Sequence, residues 1–153
     1  HGLRLFGSRA VESMRLEKGY LHWKSDILTE FDPYETGLDR FVSTKKTDYI
    51  GAAALAERAA NGPSRKLVTL EVACNTAPAH GGASVMQGDR VVGTVASGDW
   101  GHRVGKNLAL AFLLPDLAGL GSTVDIDILG ERYPATVIAP GPYDPDNTRV
   151  KGA

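Results

Sequence analysis

The chain has 153 residues, 42% of them hydrophobic, enough to build a buried core in one ordinary domain or in two small packed pieces. Its 17 basic and 18 acidic residues leave a formal net charge of -1 without a long run of like charge, which argues against a charged tail or a nucleic-acid footprint. The longest apolar stretch, residues 108–114 before Pro115, is far short of the roughly 20 residues that a bilayer span requires. Residues 1–7 carry neither the apolar segment nor the cleavage site of a secretory signal. A single cysteine, Cys74, excludes an internal disulfide, so an intracellular, cytoplasmic setting is the expectation. His1 is not an initiator Met and leads within a few residues into a helix, so the chain reads as a fragment; cloning or proteolysis would give the same start.

In chain order, Ser8 is placed to cap a helix over residues 9–16, with Val11 and Met14 on one face and Gly19 at its end. Residues 20–31 read as extended or turning. Asp32-Pro33 then caps and opens a short helical turn that Gly37 stops. A second helix follows Asp48 and runs through the alanines of 52–60 to Asn61-Gly62-Pro63. Beyond that point the pattern becomes β. Strands are predicted over 67–73, over 83–86 and 90–96 as a hairpin around Gln87-Gly88-Asp89, and over 108–113. The alternating run 124–128 turns at Gly130-Glu131 into 133–138. The fold class is therefore α+β: a helical and turn-rich remnant over 1–64, followed by a small antiparallel β-barrel or sandwich over 65–153.

Familiar chemical motifs are mostly missing. The stretch from Gly101 to Lys106 has one residue too few for a phosphate loop, and Asn107 stands where Ser or Thr would meet magnesium. His1, His22, His80 and His102 are scattered, so no metal ligand is assigned. Asp125 and Asp127 share a strand face, which reads more simply as a solvated face than as a carboxylate pair. Tyr20, His22 and Trp23 are candidates to wall a flat heterocycle, with core packing as the competing reading. Trp100, His102 and Lys106 occupy a Gly-rich link that is either a functional loop or a plain hairpin tip. Glu17, beside Arg15 and Lys18 at a helix end, is explained by an ordinary ion pair at least as well as by a catalytic role.

Several segments carry a resemblance. Ser13-Met14-Arg15-Leu16-Glu17-Lys18-Gly19-Tyr20 with Trp23, then Asp32-Pro33-Tyr34-Glu35-Thr36-Gly37-Leu38, then Lys46-Thr47-Asp48-Tyr49-Ile50-Gly51, resemble in order the motifs of folate-dependent aminomethyltransferase modules, the glycine cleavage T-protein family. The stretch 92–98 and the run Gly101-His102 through Ala109 are similar to the hairpin and following strand of that family's last domain. The Glu-Lys-Gly-Tyr form looks closest to the flavin-dependent dimethylglycine and sarcosine dehydrogenases. The resemblance implies that 1–64 is the end of the central folate-binding domain and 65–153 the C-terminal barrel domain. It implies further that tetrahydrofolate captures a one-carbon unit as 5,10-methylenetetrahydrofolate, and that FAD sits on a domain absent from this chain. The family's catalytic Asp and its pterin-holding acid lie in earlier segments, so no catalytic residue is assigned here. Tyr20, Trp23 and Arg40 are the candidate folate contacts, Arg40 because a guanidinium pairs well with a folate carboxylate. Where the family places a folate-contacting Arg this chain has Val11; where it places a Tyr near the end Thr148 stands; and Ala52 replaces a usual Arg or Lys.

Three roles follow. The chain is part of the folate module of an N-demethylating dehydrogenase, or part of a glycine cleavage T-protein-like aminomethyltransferase, or a non-catalytic β-domain with a scaffold role. In the first two its partners are the preceding domains of a parent enzyme and folate.

Overall fold

The computed structural model describes residues 1–152; Ala153, the last position of the domain expected over 65–153, lies outside the described residues. Six strands, β1 (Lys66–Val72), β2 (Ser84–Gln87), β3 (Arg90–Gly101), β4 (Lys106–Leu113), β5 (Thr123–Ile128) and β6 (Glu131–Ile138), form a closed antiparallel barrel in the order β1-β4-β3-β2-β5-β6. Of the barrel and sandwich alternatives, closure selects the barrel, which leaves no unpaired sheet edge. The expected hairpin is β2–β3, and β5–β6 is joined at Leu129-Gly130, both in the left-handed region that a tight hairpin turn needs.

The barrel interior is one apolar cluster in which Leu70, Val85, Ala109, Ala111, Leu113 and Ile126 are wholly buried. Strand alternation explains the choice. Val124, Ile126 and Ile128 point in while Asp125 and Asp127 stay half-buried outside, and Asp127 accepts the Gly130 amide at 3.0 Å, so this carboxylate pair is a turn support on a wet face. β4 is buried on both faces because helix α1 (Ser8–Lys18) covers its outer side through Leu16, Leu108 and Leu110.

The boundaries on either side of the β3–β4 link differ from the sequence reading. β3 runs on to Gly101 and β4 begins at Lys106, so Trp100 and Lys106 are strand residues and only His102 to Gly105 form the link. Local pattern hides this extension because residues 97–101 carry Ser97, Asp99 and two glycines instead of β-branched residues, and hairpin pairing with β4 overrides that weak preference. β3 also contains a bulge: Val95 pairs Ala111 and Ser97 pairs Leu110, leaving Ala96 as the extra residue.

Before the barrel, α1 begins one residue earlier than expected. Gly7, not Ser8, is its N-cap, and no side chain caps it. Its end is a Schellman turn: the Gly19 amide reaches Leu16 O at 3.1 Å and the Tyr20 amide reaches Arg15 O at 2.8 Å. Helix α2 (Ala52–Asn61) forms as expected but buries no residue. A short helix α3 (Thr148–Lys151), unforeseen in the sequence, follows a segment that returns to the end of α1.

Candidate functional site

The family-like run around α1 builds a joint between helix and barrel. Arg15 is 8% exposed and Asp26 fully buried; the guanidinium donates to Asp26 at 2.6 Å and to Ser97 Oγ at 2.9 Å, while the Ser97 hydroxyl donates to the other Asp26 oxygen. Arg15 also donates to Glu12 and to Tyr20 O. Asp26 in turn accepts the His22 amide at 2.7 Å, closing the turn over residues 22–27. Every oxygen of this buried carboxylate is hydrogen-bonded, the condition under which a buried charge is tolerated.

Glu17 corrects the ion-pair reading. It is 2% exposed and meets no cation; its Oε1 accepts the backbone amides of Arg103 and Val104, the latter at 3.1 Å, and so clamps the β3–β4 tip. Lys18 turns the other way, donating to Asp144 O and Asn147 Oδ1, both at 2.7 Å. Gly19 packs so closely on Gly141 that a Cβ on Gly19 would lie 2.9 Å from the Gly141 nitrogen, and both glycines have left-handed φ. The Ser13 hydroxyl completes the joint on Trp100 O at 2.6 Å.

A second polar device fixes the segment after α1. Asp32 Oδ1 accepts the amides of Tyr34 and Glu35, and Glu35 reaches back to the Asp32 amide at 3.1 Å, a capping box. The second Glu35 oxygen takes the Ser64 hydroxyl at 2.6 Å and the Arg65 amide at 3.2 Å, and its carbonyl takes the Leu67 amide. Burial alone would raise the Glu35 pKa, but these donors outweigh it and hold the carboxyl below its ordinary range. Glu35 thereby ties the 32–38 turn to the first residues of β1.

Between that turn and the barrel wall lies a cleft of about 660 Å³, mostly apolar, floored by Leu67, Thr69, Leu110 and Ile138 and bounded by Tyr20 and Arg40. The structure thus brings together two of the sequence-predicted site residues. Trp23, 59% exposed, stands outside this cleft, in an isolated bridge with Ile27. Arg40 lies in a 3-10 turn at Asp39–Phe41 with its guanidinium 4.8 Å over the Phe41 ring and, among the described residues, no carboxylate partner. Tyr20 is 58% exposed at the helix end. Val11 and Met14, on the outward face of α1, are exposed, and Thr148 serves Asp144, which accepts its hydroxyl at 2.7 Å. Among the described residues no His, Cys, Asp and Glu group could hold a metal ion, and no helix is long and apolar enough to cross a membrane.

The sequence reading missed Asp26 and Ser97 altogether. Neither carries a local signal, because Asp26 follows Lys24-Ser25, Ser97 precedes Gly98-Asp99, and their bonds to Arg15 reach 11 and 82 positions along the chain.

A closed six-stranded antiparallel barrel, preceded by a helix bonded into it, matches a known class. The family profile described as the glycine cleavage T-protein C-terminal barrel domain covers residues 65–144, and that of the GCVT N-terminal domain covers residues 1–46. The chain belongs to the glycine cleavage T-protein family. Among its relatives, the mitochondrial dimethylglycine dehydrogenase of Rattus norvegicus is 36% identical over 138 residues, which is 90% of this chain and 16% of that protein. The mitochondrial sarcosine dehydrogenase of Mus musculus is 35% identical over 162 residues, 99% of this chain and 17% of that protein. An aminomethyltransferase of Corynebacterium aurimucosum is 36% identical over 141 residues, 91% of this chain and 38% of that protein. The crystal structure of glycine cleavage system aminomethyltransferase T from Bartonella henselae superposes with a TM-score of 0.83 at 25% identity, over 88% of this chain and 38% of that one. The chain therefore spans about a sixth of the length of the dehydrogenases and well under half of the aminomethyltransferases it matches.

Proposed function

We propose that this chain is the C-terminal part of a tetrahydrofolate-dependent aminomethyltransferase module in an N-demethylating dehydrogenase of the dimethylglycine and sarcosine type. In this reading residues 1–64 close the folate-binding domain and residues 65–153 are the barrel domain. The observation that carries it is the cleft bounded by Tyr20 and Arg40, in a chain whose dehydrogenase relatives match over 90% or more of its length. An apolar cleft of about 660 Å³ with an aromatic edge and an unpaired guanidinium at its rim suits a flat heterocycle that ends in carboxylates. Arg40 would take a carboxylate, Tyr20 would face the aromatic part, and Trp23 would meet folate only from outside the cleft, as a secondary contact.

Folate, when bound, supplies the nitrogens that receive the one-carbon unit; the residues of this chain bind and orient it, and the proton-handling acid belongs to the preceding domains. Those domains, one of them carrying FAD, are the partners. The cytoplasm is the proposed setting, although the dehydrogenase relatives are named as mitochondrial. The aminomethyltransferase relatives support a second reading, a T-protein-like module without a flavin domain. A third reading is a non-catalytic scaffold.

Calorimetry of the chain with tetrahydrofolate tests the assignment. One wall of a pocket should bind no tighter than about millimolar, and Arg40→Ala should abolish what binding there is. Micromolar affinity, or binding unchanged by Arg40→Ala, would refute the secondary-wall role. In the intact parent, Arg40→Ala should weaken folate use and leave amine oxidation alone. The chain by itself should neither carry flavin nor release formaldehyde from dimethylglycine.

A further inference from the structure

On the opposite flank of the 22–35 segment lies a second cleft, of about 520 Å³, that the proposed folate role does not use. Its floor is the Phe31–Phe112 pair, stacked at 3.7 Å between ring centroids and 15° between planes. One wall is the β3 bulge at Ala96 with Gly81 and Gly82 laid against it; a Cβ on Gly81 would stand 2.8 Å from Ala96 O, so only glycine permits this approach. Lys24 and Arg65 also line the cleft, and no carboxylate does.

Neither cation is neutralised. Among the described residues Lys24 has no side-chain partner, and the Arg65 guanidinium has only a long contact to Val92 O at 3.4 Å. Asp26 is engaged by Arg15 and Ser97, and Glu35 by Ser64 and the Arg65 amide. Lys24 also holds φ at 71°, a conformation that disfavours a side chain and would suit glycine. Non-glycine residues held in this region cluster at functional sites. The strain is held by the buried triad. Asp26 closes the turn that carries Lys24, and Ser97, bonded to the same Asp26, is the residue after the bulge. Arg15, Asp26 and Ser97 therefore fix both walls of this cleft relative to each other.

We infer that this second cleft binds a small amphipathic anion, a flat aromatic body with one carboxylate, the ring against Phe31 and the acid between Lys24 and Arg65. An apolar floor with two unpaired cations at its rim matches that chemistry by both burial and charge. The site is separate from the Tyr20–Arg40 cleft, so its test is independent of folate binding.

The probe is 2-naphthoate, with neutral 2-naphthamide as control, titrated into the isotope-labelled chain and followed by amide chemical shifts. Naphthoate should shift Lys24, Ser25, Gly81, Gly82 and Ala96. Naphthamide should bind at least about tenfold more weakly, as should naphthoate to Lys24→Gly/Arg65→Gln. Lys24→Gly relieves the backbone, so the single variant should melt no lower than the parent chain, which separates loss of binding from loss of folding. Equal binding of acid and amide would overturn the proposal, as would shifts centred on Tyr20 and Arg40, or no saturation by about 10 mM. So would dilution alone moving the same amides, because a second copy would then be the occupant.

Discussion

Helices α1 and α2 are nearly equal in length, 11 and 10 residues, and their sequences promise the reverse of what the fold delivers. α2 has the stronger helix formers and a clean stripe at Ala52, Leu55, Ala56 and Ala59, yet buries nothing. α1 leaves its apolar Val11 and Met14 exposed and buries Ser13, Arg15 and Glu17 beside a single leucine. Propensity makes both helices, but polar pairing, with Leu16 packed on Leu108 and Leu110, decides where α1 sits. α1 is fixed because each buried polar group finds a partner on β3, on the β3–β4 tip or on the 22–27 turn. Among the described residues α2 has no such partners, and its stripe is at most half-buried.

The largest effect should come from breaking the α1 triad. Arg15→Met leaves the buried Asp26 carboxyl with only Ser97 and one amide, and removal of one partner from a buried pair costs about 3–5 kcal/mol. The urea midpoint should fall accordingly, and Arg15→Met/Asp26→Leu should recover much of the loss. A midpoint unchanged by Arg15→Met would mean that Leu16 alone docks the helix. Next in size is Glu17→Ala, which strips two backbone amides of their acceptor and should cost about 1–3 kcal/mol. Faster hydrogen exchange at Arg103 and Val104, but not at the 22–27 turn, would locate the damage at the β3–β4 tip.

Acid should loosen the other polar tie more gently. Because donors to Glu35 hold its folded pKa below the unfolded value of about 4.3, its contribution is complete above that pH and fades as pH falls through the lower folded value. Asp144, held low first by the Thr148 hydroxyl, then by the Arg149 amide and Lys18, behaves with the same sign. Glu35→Gln should therefore flatten the stability profile below about pH 4 while changing little of its slope near neutrality. A profile identical to that of the parent chain would remove Glu35 from the account.

How much of this was legible in the sequence follows the same division. The strand over 124–128 was readable from strict alternation, and the turns at 87–89 and at Gly130-Glu131 marked their hairpins, because those features are local. The extension of β3 and its bulge at Ala96 were not, because residues 97–101 carry little strand preference of their own and take their pairing from β4, and the triad was not, because Ser97 lies 71 and 82 positions from its two partners. Tyr20 and Arg40 were reached through family motifs, and their common cleft is a product of the Glu35 ties, whose capping half is local and whose links to Ser64 and Arg65 are not.

The smallest expected effect probes α2 directly. Ala56 is exposed in a helix of 10 residues with no buried side chain, and helices this short are marginal without tertiary support. Ala56→Gly costs about 1 kcal/mol of helix propensity. If α2 is uncoupled from the barrel, that loss stays local: amide shifts and exchange across Ala52–Asn61 should report fraying, while the unfolding midpoint of the barrel moves by less than about 0.5 kcal/mol. Among the described residues the one side-chain tie from the helix to the segment before it is Arg58, at 3.9 Å from Asp32 and largely exposed, and a pair that open transmits little. A midpoint that drops by the full kilocalorie would mean that α2 folds in one cooperative unit with the barrel. A drop that vanishes on dilution would instead place the Ala52–Leu55–Ala59 stripe against a second copy, and the contrast between the helices would then be one of partner and not of polar pairing.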